Sequence, residues 1–343
     1  MQEWVLVLVA SGLSFVISAV TGIFLIPFLK KKCFGQTILE IGPRWHKSKQ
    51  GTPIMGGFMF IAGSIISVAI SYAIRHSAMP MTDIVHAADS DVNYGFVLLV
   101  FAVFALLFSA IGFADDYIKA VKKQNLGLNA KQKLLFQFLL AAGFLWVLHV
   151  LGMTETTVNL VFAEFDLKLW YYPIMVLFIV FMSNAVNITD GIDGLCGTVT
   201  AIALIVTTVL CSYLKLGELS LYSAAIAGGV LGFLVWNLHP AKCFMGDTGS
   251  MYLGAVVAGF AIITRQHLVM VLVGIVYVCE ALSVVLQVIS FKTTKKRLFK
   301  MSPIHHHFEL SGFGEYRIVR TFSAVGLIFG IIAIVLLTAL NRQ

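Results

Sequence analysis

The chain reads as an all-α integral membrane protein of ten transmembrane helices, and three observations predict this class. Of its 343 residues, 59% are apolar and 12% charged, where a soluble domain carries about 25% charged residues. Mean hydropathy is +0.92. The apolar residues come in runs of about 20, the length a helix needs to cross roughly 30 Å of hydrocarbon. The longest polar connection, 292–318, is too short to enclose a core of its own. Residues 1–343 are therefore expected to form one polytopic domain with no separate soluble part.

Taken in order, the spans are expected at 4–29, 54–74, 95–112, 134–151, 171–187, 197–214, 220–237, 251–264, 268–291 and 319–340. The first run lacks a basic leader and is too long for a signal core, and its basic cluster Lys30, Lys31, Lys32 follows it. It is read as a retained span. The loops 30–53, 113–133, 188–196, 238–250 and 292–318 hold 18 Lys and Arg together, against five on the opposite side (Arg75, Lys168, Lys215, Arg265, Arg342). The positive-inside rule puts the basic loops in the cytoplasm. An even number of spans then leaves both termini outside. The net charge of +7 serves topology beside membrane lipids, and no nucleic-acid partner is expected. The five cysteines (33, 196, 211, 243, 279) form no C-x-x-C pair and read as reduced structural thiols.

The aspartates divide by side. Asp83, Asp89, Asp91 and Asp166 fall in external loops, whereas Asp115, Asp116, Asp190, Asp193 and Asp247 fall at cytoplasmic helix ends or loops. In FADDYIK (113–119), Asp115 and Asp116 are expected to end an apolar helix. Negative charge at a helix C-terminus opposes the macrodipole, and close carboxylates repel unless a cation or proton is shared. A solvated helix end is the plain alternative to a metal or phosphate site. In NITDGIDGL (187–195), two Asp-Gly pairs stand beside Asn184 and Asn187, more than a turn requires. In NLHPAKCFMGDTGS (237–250), Asp247 with Thr248 and Ser250 offers the hard oxygen donors that suit Mg²⁺. The run His305, His306, His307 has poor spacing for zinc, since adjacent side chains diverge; an anion or sugar-phosphate contact fits it better. Lys49 and the loop GTPIMGG (51–57) join Lys119, Lys122, Lys123, Lys131 and Lys133 as a basic rim around the carboxylates. A pyrophosphate substrate needs both: metal to bridge it to carboxylates, and cations for the remaining charge. With an apolar bundle alongside, this points to phosphosugar transfer to a lipid at the cytoplasmic face.

GTPIMGG, FADDYIK, NITDGIDGL and NLHPAKCFMGDTGS, with HHHFE at 305–309, resemble in content and order the polyprenyl-phosphate N-acetylhexosamine-1-phosphate transferases, and HHHFE resembles the branch that uses a muramoyl-pentapeptide donor. The resemblance implies a homodimer in a bacterial cytoplasmic membrane. It implies Mg²⁺-dependent transfer of phospho-N-acetylmuramoyl-pentapeptide from UDP-N-acetylmuramoyl-pentapeptide to undecaprenyl phosphate. It implies Asp247 as the Mg²⁺ ligand with Asp115 and Asp116 at the reacting phosphates, Lys119 and Lys131 on phosphate, and Asp190 in support. Lys49, Asn187, Asp193, Asn237 and Phe244 would form the nucleoside pocket, and His305, His306 and His307 would meet the sugar-phosphate. One-step attack by the lipid phosphate and a two-step scheme through an aspartate both remain open. A sister enzyme using an N-acetylglucosamine donor and a cation-coupled transporter are the rival readings; the transporter predicts ionisable residues near the bilayer midplane. Glu280, deep in an apolar run, is either a helper of a lipid groove or a packing residue, and stays outside the site.

Overall fold

The computed structural model describes residues 3–32, 34–35, 49–78, 94–122, 126–160 and 163–340. Among the described residues, ten helices are long and apolar enough to cross a membrane, which makes the chain a multi-pass membrane protein. They are α1 (Glu3–Lys31), α2 (Gly57–Ala78), α3 (Tyr94–Lys122), α4 (Ala130–Val150), α5 (Tyr171–Thr189), α6 (Leu195–Tyr213), α7 (Gly217–Asn237), α8 (Gly246–Ile263), α10 (Ile275–Thr294) and α12 (Glu315–Leu340), with short helices α9 (His267–Val273) and α11 (Ile304–Glu309) between them. An antiparallel hairpin pairs β1 (Thr157–Leu160) with β2 (Ala163–Asp166), Thr157 opposite Asp166.

Helices α7 and α8 form the centre. Helix α7 packs on α1, α2 and α6, while α8 packs on α3 and α5; α12 closes the far side against α6 and α9. The α1–α7 contact is built from small residues. Leu6, Ala10, Ser14, Ser18, Gly22 and Ile26 of α1 are buried at four-residue intervals, a single ridge along the helix. Facing it, a Cβ added at Gly228 or Gly232 would run into the backbone of Ser11 or Phe15. Apolar side chains gain little by leaving lipid, so close backbone approach and dispersion hold such helices together. Between α3, α7 and α8, the rings of Phe101 and Phe260 meet edge to face at 5.0 Å, with Tyr222 5.3 Å from Phe101.

Four boundaries differ from the sequence expectation. Helix α3 continues past Asp115 and Asp116 to Lys122, so these aspartates do not end a helix. They lie on its buried face, and Lys119 pairs with Asp115 one turn on; the last turn carries Lys119 and Lys122, the sign the dipole favours there. Helix α8 starts at Gly246 rather than 251, which brings Asp247 into its first turn. The expected span 268–291 is broken at Gly274, a weak helix former. The hairpin had no periodicity strong enough to announce it. Cys196, Cys211 and Cys243 are buried free thiols and Cys279 is an exposed one. Cys33, Lys123 and aspartates 83, 89 and 91 lie outside the described residues.

Candidate active site

The C-terminal parts of α3 and α5 and the N-terminal turn of α8 meet at one end of the bundle, and each brings a polar side chain. Asp116, buried on α3, accepts hydrogen bonds from the backbone N–H of Asp247 (3.1 Å) and Thr248 (2.9 Å) and from the Thr248 hydroxyl (2.7 Å). It thus caps α8, supplying an acceptor to N–H groups that have no partner within the helix. Asp115 accepts from the Leu128 N–H at 2.7 Å and from Lys119 Nζ at 2.5 Å. Asp247 accepts from Asn187 Nδ2 at 2.9 Å on one oxygen, and from Lys133 Nζ at 2.8 Å and Lys119 Nζ at 3.4 Å on the other. Asn187 is held in turn by Ser250, 2.8 Å away.

The three aspartates each place an oxygen within 4.8 Å of the others. Three carboxylates against two ammonium groups leave negative charge in excess, in a set of hard oxygens of the kind that suits Mg²⁺. Asn187, expected in the nucleoside pocket, bonds Asp247 in this centre.

A second cluster forms around Lys49. Its ammonium lies 2.8 Å from Asp193 Oδ1 and 2.7 Å from Glu315 Oε2. The other Asp193 oxygen accepts from the Ala241 N–H and faces His239 Nδ1, both at 3.0 Å. Asn237, fully buried, accepts from the Gly194 N–H (3.1 Å) and donates to the Cys243 carbonyl (2.9 Å), tying the two glycine-rich loops together. Phe244 is half-buried, and its backbone pairs with the carbonyl of Pro53 and the N–H of Gly56 at 2.8 Å each. Asp190 stands at the end of α5, where burial, then the charges of Asp247, Asp116 and Asp193, push its carboxyl up to about 8.

The three histidines diverge, as adjacent residues must. His305 is buried with Nδ1 3.1 Å from both oxygens of Glu280, while Nε2 faces Gly191. His306 pairs with Glu309 at 2.6 Å, and His307 Nδ1 accepts from the Lys300 N–H at 3.2 Å. Helix α11 thus reaches the Asp-Gly loop through His305.

Sequence reasoning selected Lys131 and passed over Lys133. Lys131 is exposed, whereas Lys133 reaches Asp247. Residues two apart on a helix face different ways, so the phase of α4 decides between them. Glu315, His239 and Glu280 were also missed as site residues. Glu315 carried a readable signal, an acid opening a helix after the Gly312–Gly314 turn. Glu280 is the buried partner of His305.

A family model described as glycosyl transferase family 4 matches residues 98–265. That stretch holds Asp115, Asp116, Asp190, Asp193 and Asp247 but neither Lys49, His305, His306, His307 nor Glu315. A phospho-N-acetylmuramoyl-pentapeptide-transferase of Halalkalibacterium halodurans is 44% identical over 326 residues, covering 94% of this chain and 95% of that protein. One from Bacillus subtilis is 45% identical over 324 residues, with 94% and 95% covered.

Proposed function

We propose that this chain, which belongs to the phospho-N-acetylmuramoyl-pentapeptide transferases, moves phospho-N-acetylmuramoyl-pentapeptide from UDP to undecaprenyl phosphate. The products are UMP and lipid I, the lipid-linked intermediate of peptidoglycan biosynthesis. One observation carries the reading beyond sequence likeness: Asp115, Asp116 and Asp247 converge with Lys119 and Lys133 at one end of an apolar bundle.

In this reading Asp247 would hold Mg²⁺, which when bound neutralises charge on the pyrophosphate. Asp116 positions Asp247 by capping α8. Lys119 and Lys133 face the phosphate oxygens and stabilise the charge that grows there. Asp115 receives the proton of the lipid phosphate where one remains; a monoester with a second pKa of about 6 has mostly lost it at neutral pH. Lys49, Asp193, Asn237 and Phe244 enclose the nucleoside, with the Phe244 ring stacking on uracil. His305, His306 and His307 meet the sugar-phosphate side. Asp190 stands between the two groups. The same reading takes residues 1–343 as a single domain with both termini outside a bacterial cytoplasmic membrane, the site on the cytoplasmic face, and the active form as a homodimer. The 18 to 5 split of basic residues supports the orientation.

The test is UMP release by detergent-purified protein given UDP-N-acetylmuramoyl-pentapeptide and a polyprenyl phosphate, with and without Mg²⁺, and UDP-N-acetylglucosamine as the parallel donor. Lipid-linked product from the muramoyl donor alone, and with Mg²⁺ alone, is expected. Turnover of the other donor moves the protein to the sister branch.

A further inference from the structure

The second cluster contains an arrangement that the transfer chemistry does not use. Asp193, His239 and Glu315 each bring a ligand-type atom within 4.8 Å of the others, a spacing that would suit a cation. The cation is already there, because the ammonium of Lys49 bonds Asp193 and Glu315 at 2.8 and 2.7 Å. An ammonium has three donors. Two are committed, which aims the third.

Glu315 is the residue that makes this possible. It is the first residue of the 26-residue α12, so its carboxylate sits where the helix dipole favours negative charge. One of its oxygens accepts from both Lys49 Nζ and the backbone N–H of Asp193, the latter at 3.1 Å. Its side chain is 10% exposed, so these bonds are shielded from competing water. Lys49 lies in the loop before α2 and Asp193 in the turn between α5 and α6, with no covalent neighbour in common. Without Glu315 the Lys49 ammonium would keep a single carboxylate partner and regain rotamer freedom, and the Asp193 N–H would lose its acceptor.

We propose that Glu315 is a positioning residue for the nucleotide donor: it orients the third donor of Lys49 and fixes the 190–194 turn, and so sets donor affinity without taking part in phosphoryl transfer. The inference rests on the reading of Lys49 and Asp193 as nucleoside-pocket residues. Glu315 lies 68 residues beyond Asp247, outside the stretch 98–265 that matches the family model.

The experiment compares full-length wild type with E315A, E315Q, K49M and K49M/E315A in detergent. Steady-state kinetics vary the muramoyl donor and the polyprenyl phosphate in turn, and calorimetry measures UMP binding directly. E315A is expected to raise the donor KM and weaken UMP binding by about tenfold while kcat and the lipid KM stay within about twofold. E315Q keeps an oxygen for the Asp193 N–H but loses the charge facing Lys49, and falls between. If Glu315 acts through Lys49, E315A adds little to K49M. An unchanged donor KM, tighter UMP binding, additive losses, or equal damage to kcat and both KM values would overturn the proposal. The wild type separates the two readings: a wild type that binds UMP but turns over no donor counts against the reaction, and the UMP arm still judges Glu315.

Discussion

The two polar clusters lie at the same end of the bundle and are built from the same residue types, yet they place their cations differently. Around Asp247, three carboxylates converge on two lysines and leave negative charge uncancelled, with Asp247 itself 18% exposed. Around Lys49, the cation is internal and held by Asp193 and Glu315. Three converging carboxylates repel one another more than two bridged by a single lysine. The comparison teaches that counting acids is a poor guide to a metal site. What matters is how the cations are placed: Lys49 bridges both acids of its cluster, whereas Lys119 and Lys133 reach Asp115 and Asp247 while Asp116 bonds the start of α8.

The sharpest way to break the comparison is at Asp247. Asp247→Asn is expected to lower Mg²⁺-dependent turnover by at least about 10²-fold, the scale on which removing charge stabilisation acts; near-normal rates in that variant would remove Asp247 from the metal site. Chelation of divalent metal should abolish turnover in the wild type while leaving UMP binding within a few fold, because the Lys49 cluster carries its own cation.

The next test separates two lysines. Lys133→Met is expected to cost roughly tenfold or more in kcat/KM, and Lys131→Met less than about twofold. Equal losses would mean that the rim acts as a diffuse field rather than through the bond to Asp247. Asp116 is expected to divide its effect differently. Asp116→Ala leaves the Thr248 N–H and hydroxyl without their acceptor and should lower stability by roughly 1–3 kcal/mol, read as a drop in thermal midpoint in detergent. A variant that loses activity at unchanged stability would show that Asp116 acts on substrate rather than on α8.

The smallest effect is a pH dependence. Asp190 keeps its proton up to about 8 in the folded chain, against an ordinary carboxyl near 3.9 once unfolded. Its contribution to stability is therefore full below the unfolded value and is lost as pH rises through about 8. In metal-free buffer the thermal midpoint should fall from pH 6 to 9, and Asp190→Asn should flatten that fall. An identical slope in the variant would assign the pH dependence to other groups.

Much of the architecture was legible because it depends on sums over neighbouring residues. Ten spans follow from hydropathy runs, and the one-sided distribution of Asp115, Asp116, Asp190, Asp193 and Asp247 follows from which loop each occupies. Helix ends were less legible: α3 runs on through two aspartates because its buried face offers them Lys119, Leu128 and the start of α8, and none of these is visible in a hydropathy window. The break at Gly274 was readable from a helix-weak residue; the hairpin at 157–166 was not.

What the sequence by itself determined is the membrane class, the number of long apolar helices, and the set of segments that carry chemistry. Tertiary structure decided which members of those segments meet. It brought Lys133 to Asp247, turned Asp116 into a cap, joined Asn187 to the carboxylate centre, and paired Glu280 with His305. It also brought Lys49 to Glu315 across 266 positions of chain. The physical reason is range. Hydrophobic burial is local and nearly additive along a helix, whereas an ion pair depends on the rotation of two helices to within a fraction of a turn, and that rotation is set by packing against all the others.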